Sequence, residues 1–172
     1  HSAHPGGRAC GTVPPLAAFS FHESKNIQCG EGGALFVNDP ELVERAEIVQ
    51  EKGTDRSLVL RGVKSKYGWV DIGSSFLLSD LLAAVLLAQL EQMDEIVACR
   101  QQITEGYRSV CLPFAERGCV RIPQVPEGVR LNHHAFFVIF DRPAHQIEFL
   151  ERMRERGVHP YIGYLPLHSS SY

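Results

Sequence analysis

The chain has 172 residues, of which 44% are hydrophobic, and its 17 basic and 20 acidic side chains give a formal net charge of −3. This apolar fraction is enough for a core, and the length predicts one ordinary domain or parts of two. The charge balance excludes nonspecific binding of nucleic acid or of an anionic membrane surface.

The longest apolar run, from Leu81 to Leu90, is half as long as the roughly 20 residues that a transmembrane helix needs, and the first fifteen residues contain no signal-peptide core. The five cysteines form an odd number and no CxxC pair, which favours reduced thiols over disulfides or a zinc site. These features predict a soluble, cytoplasmic protein without a metal.

The chain begins with residues 1–15, which are rich in Gly, Pro and His and predict a loop or a disordered lead. Two short apolar segments, LAAFSF from Leu16 and GALFVN from Gly33, predict strands that are buried on both faces. After the second segment the sequence predicts a helix between Asp39 and Gly53. Asp39 is a suitable N-cap, Pro40 suits the first turn, and Gly53 is a suitable terminator.

Residues 54–75 are polar and basic and fit no regular period, which predicts a long functional loop. Ser79 opens a second helix, and because its first turns are apolar nearly all round we expect it to be buried. From Glu91 the helical pattern is amphipathic, and it continues until Pro113 ends it.

The remaining sequence predicts a small α/β unit separate from the first half. Its expected elements are a strand at 120–122, a strand HAFFVIF at 134–140, a helix at about 144–156 closed by Gly157, and a strand VHPYI at 158–162. His133 and His134 begin the second of these strands and should point to opposite sides, so they are not expected to share a metal.

Lys25 follows the first apolar strand and precedes the glycine-rich turn CGEGGAL. Ligands in α/β folds gather at the carboxyl ends of strands, where a lysine can attack an aldehyde and form an imine. The alternative is a solvated surface charge. Ser20 could donate to a phosphate or bond to the backbone, and Arg56 and Arg61 could bind a diphosphate or form a solvated face.

Five segments carry a resemblance to a known family: AFSFHESKN, GEGGAL, QEKGTDRS, YGWVDIGSSFLLSDLLAAVLLAQLE and YLPLH. From about Ala17 to Tyr172 the chain resembles the pyridoxal-phosphate-dependent nucleotide-sugar aminotransferases of the DegT type. The resemblance implies an α/β fold of fold-type I, with 16–95 as the C-terminal part of the cofactor-binding large domain and 96–172 as an incomplete small domain. Residues 1–15 do not resemble the family.

The resemblance also implies roles for individual residues. Lys25 forms the imine with pyridoxal phosphate and moves the substrate proton, and Ser20 bonds the cofactor phosphate. Ser75 stands where many relatives have an asparagine that reaches the neighbouring subunit's cofactor phosphate, although Leu77 replaces the arginine of the same motif. His168 lies near the active site. The family variant that deoxygenates its sugar has histidine at the lysine position, so Lys25 implies amino transfer.

The implied reaction moves an amino group from L-glutamate to a TDP-4-oxo-6-deoxyhexose, for amino-sugar and surface polysaccharide synthesis by a homodimer. The family's ring-nitrogen aspartate lies upstream of the lysine, in sequence that this chain does not contain, and we expect truncation at both ends. Two other interpretations stay open: a catalytically silent structural or interaction module, and a lysine enzyme that works without pyridoxal phosphate.

Overall fold

The computed structural model describes residues 9–163 and 166–171. The chain divides into two compact units. One contains the chain as far as Thr104 together with Val125–Ala135, and the other contains Glu105–Gln124 together with the chain from Phe136 onward. Both units contain helices and strands, which confirms the α/β class.

The first unit begins with a β-hairpin. Strand β1 (Leu16–Ser20) pairs antiparallel with β2 (Gly33–Val37), so that Ser20 lies opposite Gly33. The expectation that both faces are buried is wrong, because the side chain of Leu35 is 53% exposed. Within the described residues no third strand joins this pair, so one face and both edges lack the neighbours that bury a central strand.

The helix after the hairpin has the predicted ends. Asp39 accepts a 3.0 Å hydrogen bond from the backbone N–H of Glu41, and a 3-10 turn (Pro40–Leu42) leads into α1 (Val43–Gln50). Gly53 follows with φ of 75° and donates to the carbonyl oxygen of Ile48 at 2.8 Å. Local capping rules therefore predict this helix correctly.

The basic segment after α1 is ordered, and the prediction of a loop without regular structure was wrong. Helix α2 (Arg56–Leu60) is five residues long, too short to show a helical period in the sequence. The base of the segment is closed by a β-bridge between Thr54 and Trp69 and by a 2.8 Å hydrogen bond from the N–H of Gly68 to Asp55.

Two long helices complete the regular structure of this part of the chain. Ser79 caps α3 (Asp80–Glu91) as predicted, accepting from the N–H of Leu82 at 3.4 Å, and Gln92 separates α3 from α4 (Met93–Glu116). The expected burial of α3 is wrong, because no described element covers the face that carries Leu81, whose exposure is 82%.

Pro113 lies inside α4, and the prediction that it ends the helix was wrong. A proline removes one hydrogen bond of the helix and its ring crowds the carbonyl four residues back, which disfavours the helix without forbidding it, and α4 continues for three residues beyond Pro113. Arg117 donates to the carbonyl oxygen of Pro113 at 3.2 Å, which satisfies one of the last free carbonyl groups.

In the second unit, β3 (Val120–Arg121) pairs antiparallel with β4 (Ile139–Phe140), and α5 (Pro143–Glu155) packs the ring of Phe149 5.2 Å from that of Phe140. Gly157 follows α5 as predicted, with φ of 75°. The strand expected at 134–140 is shortened to its last two residues. The strand expected at 158–162 does not form, and Pro160 within it has no N–H for a ladder bond.

Candidate functional site

Lys25 lies in the loop that joins β1 to β2. The loop is closed by hydrogen bonds from the N–H of Phe21 to the carbonyl of Gly32 at 2.8 Å and from the N–H of Cys29 to the carbonyl of Phe21 at 2.9 Å. The N–H of Lys25 itself donates to the carbonyl oxygen of His22 at 2.9 Å. The backbone of the lysine is therefore fixed by a turn, while its side chain is exposed.

The glycines of the CGEGGAL segment allow this loop to close. Gly30 has φ of 86°, in the left-handed region that favours glycine. A Cβ added at Gly32 would lie 2.8 Å from the sulfur of Cys29, whose side chain is only 3% exposed. The glycine-rich CGEGGAL segment therefore has a packing function at the base of the lysine loop.

The amine of Lys25 makes no hydrogen bond or ion pair with the described residues. Ser20, the last residue of β1, accepts a long 3.4 Å hydrogen bond from the N–H of His22. An accepted hydrogen bond leaves the hydroxyl proton of Ser20 free to donate to a phosphate oxygen. A free amine and a hydroxyl that can donate are the chemical groups that would hold an aldehyde and a phosphate.

A second segment lies against the lysine loop, and sequence reasoning did not assign it a function. The side-chain amide of Asn26 donates to the carbonyl oxygen of Asn132 at 2.5 Å, and its oxygen lies 2.8 Å from Nδ1 of His134. Arg100 holds the same segment, donating to the carbonyl oxygens of His133 at 3.2 Å and His134 at 2.8 Å.

The expectation that His133 and His134 begin a strand and alternate was wrong. His133 has φ of 52°, a left-handed conformation that no strand contains, so the alternation argument does not apply. Asn26 and His134 are 108 residues apart in the chain. No local pattern connects them, and the sequence offers only the adjacent pair of histidines as a signal.

The surroundings of His134 lower the pKa of its imidazole. Burial is the main cause, and the positive charges of Arg100 and Lys25 add to it. All three effects disfavour the imidazolium, so His134 is held neutral at physiological pH. Asn26, which contacts this ring at 2.8 Å, is the residue next to Lys25 in the chain, so His134 lies beside the lysine loop.

Two of the remaining candidates of the first unit, Ser75 and Arg56, contact Glu51 rather than Lys25. Ser75 forms a β-bridge with Glu51, and Nη1 of Arg56 lies 3.5 Å from the Glu51 carboxylate. Arg61 pairs with Glu47. In the described part of the chain no hydrogen bond or ion pair joins these three residues to Ser20 or Lys25.

His168 belongs to the second unit, where it lies exposed in a 3-10 turn (Leu167–Ser169). Tyr164 and Leu165 of the YLPLH motif lie outside the described residues. Within the described ranges no helix is long and apolar enough to cross a membrane. Nor does any group of three or more metal-binding side chains come together there.

Comparison with known proteins gives a match along the whole chain. The model of the DegT/DnrJ/EryC1/StrS aminotransferase family matches residues 1–172, so the expectation that residues 1–15 do not resemble the family was wrong. A dTDP-4-dehydro-2,3,6-trideoxy-D-glucose 4-aminotransferase of Saccharopolyspora spinosa is 30% identical over 94% of this chain and 43% of its own length. A dTDP-3-amino-3,4,6-trideoxy-alpha-D-glucose transaminase of Streptomyces venezuelae is 34% identical over 99% of this chain and 41% of its own length.

Among solved structures, the aminotransferase TlmJ from Streptoalloteichus hindustanus is similar to this chain. The TM-score is 0.82 at 29% sequence identity, and the similarity covers 99% of this chain and 43% of TlmJ. The chain therefore spans less than half the length of the relatives it matches.

Proposed function

The chain belongs to the DegT/DnrJ/EryC1/StrS aminotransferase family, and we propose that it supplies the reactive lysine of a pyridoxal-phosphate-dependent sugar aminotransferase. The observation that carries this proposal is the position of Lys25. Its backbone is fixed in a glycine-supported hairpin loop, while its amine has no partner among the described residues.

In this proposal Lys25 binds the cofactor aldehyde and Ser20 donates to its phosphate. When bound, pyridoxal phosphate supplies an electron sink for the carbon that loses its proton. Nζ of Lys25, when not bonded to the cofactor, would accept that proton and deliver it to the carbon on the other side of the nitrogen, which is the 1,3-proton shift of amino transfer. Ser75 is proposed to contact the phosphate of a neighbouring subunit's cofactor in a homodimer.

The proposed substrates are L-glutamate as amino donor and a TDP-4-oxo-6-deoxyhexose as acceptor, for amino-sugar and surface polysaccharide synthesis in the cytoplasm. The name of the Saccharopolyspora spinosa relative, a 4-aminotransferase acting on a dTDP-4-dehydro sugar, supports a 4-oxo acceptor. We assign Arg56, Arg61 and His168 to the sugar-nucleotide side of the site. Arg56 and Arg61 are exposed and their carboxylate partners are within the same unit, so a diphosphate would have to compete with Glu51 and Glu47.

The decisive experiment is titration of the chain with pyridoxal phosphate, followed by borohydride reduction and peptide mapping. We expect a visible absorption band of the lysine-bound cofactor and a reduced adduct on Lys25. Lys25→Ala should abolish both, whereas Lys66→Ala, which removes another exposed lysine, should change neither. Equal spectra for the unchanged chain and Lys25→Ala would reject the assignment.

The same experiment separates the other two interpretations. A cofactor band that glutamate never discharges would favour a catalytically silent module that retains the binding site. Reaction of Lys25 with simple aldehydes, without any preference for pyridoxal phosphate, would favour a lysine enzyme that needs no such cofactor.

A further inference from the structure

The side chain of Asn26 can have only one orientation. Its outer atoms face the carbonyl oxygen of Asn132 at 2.5 Å and Nδ1 of His134 at 2.8 Å. The carbonyl oxygen of Asn132 can only accept a hydrogen bond, so the atom facing it must be the amide nitrogen. Exchanging the amide nitrogen and oxygen would bring two oxygens to 2.5 Å without a proton between them.

This orientation fixes the tautomer of His134. The amide oxygen of Asn26 is left to face Nδ1, and because that oxygen can only accept, Nδ1 must carry the proton. A neutral imidazole has a single N–H, so Nε2 holds an unshared electron pair. Nε2 makes no hydrogen bond within the described residues.

The segment that carries His134 is itself held on both sides. The backbone N–H of His134 donates to the side-chain oxygen of Asn132 at 3.2 Å, and the carbonyl oxygen of His134 accepts from Arg100 at 2.8 Å. The charged groups that face the ring are Lys25 on the hairpin loop and Arg100 on α4, and both are positive. Both favour the neutral ring that the tautomer argument requires.

We propose that Asn26 is a positioning residue, which holds His134 as the Nδ1–H tautomer and so keeps Nε2 as a hydrogen-bond acceptor next to the lysine site. This inference deepens the proposed function, on which it rests for its catalytic meaning. A neutral Nε2 accepts from a hydroxyl or a protonated amine, and it does not attract a carboxylate or a phosphate. At this position the site therefore selects a donor group of the substrate, such as a sugar hydroxyl.

The test is long-range proton–nitrogen correlation spectroscopy of the full chain labelled with ¹⁵N-histidine, at neutral pH and without cofactor. His134→Gln identifies the signals by their disappearance. We expect a protonated Nδ1 and an unprotonated Nε2 in the unchanged chain. In Asn26→Ala this tautomer of His134 should no longer predominate.

Two further variants keep the test decisive. Asn38→Ala removes an amide that bonds to the carbonyls of Gly11 and Pro14, away from this network, and should leave the His134 signals unchanged. Asn26→Asp preserves the side-chain volume and places a carboxylate beside Nδ1, so it should keep Nδ1 protonated and raise the pKa of His134. Because its second oxygen cannot donate to the Asn132 carbonyl, the unfolding free energy of this variant is measured alongside.

A protonated Nε2 in the unchanged chain, or the same tautomer with and without the Asn26 amide, would overturn the proposal. If Asn26→Ala does not fold, an unchanged His134 pKa in Asn26→Asp would overturn it instead. Since no cofactor is present, the result is independent of the pyridoxal phosphate titration. Either proposal can therefore fail while the other stands.

Discussion

Gly53 and Asp71 approach so closely that a Cβ on Gly53 would lie 1.9 Å from the carbonyl oxygen of Asp71. The contact is part of a backbone junction in which the carbonyl of Gly53 accepts from the N–H of Val70 at 2.8 Å and from that of Asp71 at 3.1 Å. This junction closes the base of the basic segment. Gly53 therefore has two roles: it ends the turn after α1 and it admits a second backbone.

Gly53→Ala should lower the free energy of unfolding of this segment by about 2 to 3 kcal/mol, since it combines a left-handed φ with a backbone clash. Gly62→Ala is the matched control, because Gly62 has φ of 74° with nothing within 4 Å of the added Cβ. It should cost only about 1 kcal/mol, the strain of the left-handed conformation alone. Urea unfolding followed by fluorescence of Trp69, which is bridged to Thr54, measures both. Equal losses would contradict the clash.

Asp55 makes the basic segment sensitive to acid. Hydrogen bonds from Lys64 and then from the N–H of Gly68 are the largest effects that hold the pKa of its carboxyl below the ordinary value. A carboxyl with a lowered folded-state pKa stabilises fully above its unfolded pKa of about 3.9 and loses that stabilisation as pH falls through the folded-state pKa. The segment should therefore open in acid and stay closed at neutral pH.

The measurement is Trp69 fluorescence as a function of pH. Lys64→Met removes the first cause of the shift and should move the opening transition to higher pH. Asp55→Asn should abolish the transition. Glu127→Gln, which changes a carboxylate outside this segment, serves as the control, and the same transition in Asp55→Asn as in the unchanged chain would refute the assignment.

The features that the sequence predicted correctly depend on local chemistry. Asp39 and Ser79 cap helices through hydrogen bonds to residues two and three positions away, and Gly157 closes α5 with a positive φ. Such interactions involve only neighbouring residues, so the sequence contains all the information that they need. The position of Lys25 after a strand was likewise predicted from the residues that neighbour it in the chain.

The errors concern contacts between distant parts of the chain. The apolar composition of α3 predicts burial, but burial depends on a covering element, and the described residues supply none for Leu81. The network of Asn26, Asn132 and His134 joins residues more than 100 positions apart through polar atoms that show no periodicity. Only the fold brings them together, so reasoning from the sequence could not have assigned them to the lysine site.

The exposed face of α3 should bind hydrophobic dyes. Leu81 and Val85, which lie four positions apart on one side of this helix, are 82% and 49% exposed, and adjacent apolar side chains of this kind are prone to association. Leu81→Lys and Val85→Lys should each reduce anilinonaphthalene sulfonate fluorescence and self-association at the same chain concentration. Leu167→Lys is the control, because Leu167 is 90% exposed but lies alone in a turn. An equal reduction by the control would mean that α3 is not the responsible surface.

Ser20→Ala tests the phosphate side of the lysine site. If the hydroxyl of Ser20 donates to the cofactor phosphate, its loss removes one hydrogen bond to a charged group, worth about 1.5 to 3 kcal/mol. The Kd for pyridoxal phosphate should then rise by about 10-fold to 150-fold, while the adduct still forms on Lys25 at saturating cofactor. Ser109→Ala is the matched control, since its hydroxyl donates to the carbonyl of Gly106 within α4.

Titration with pyridoxal, which lacks the phosphate, completes the test: Ser20→Ala should leave the Kd for pyridoxal unchanged. Equal weakening for both compounds would show that Ser20 supports the hairpin loop rather than the phosphate.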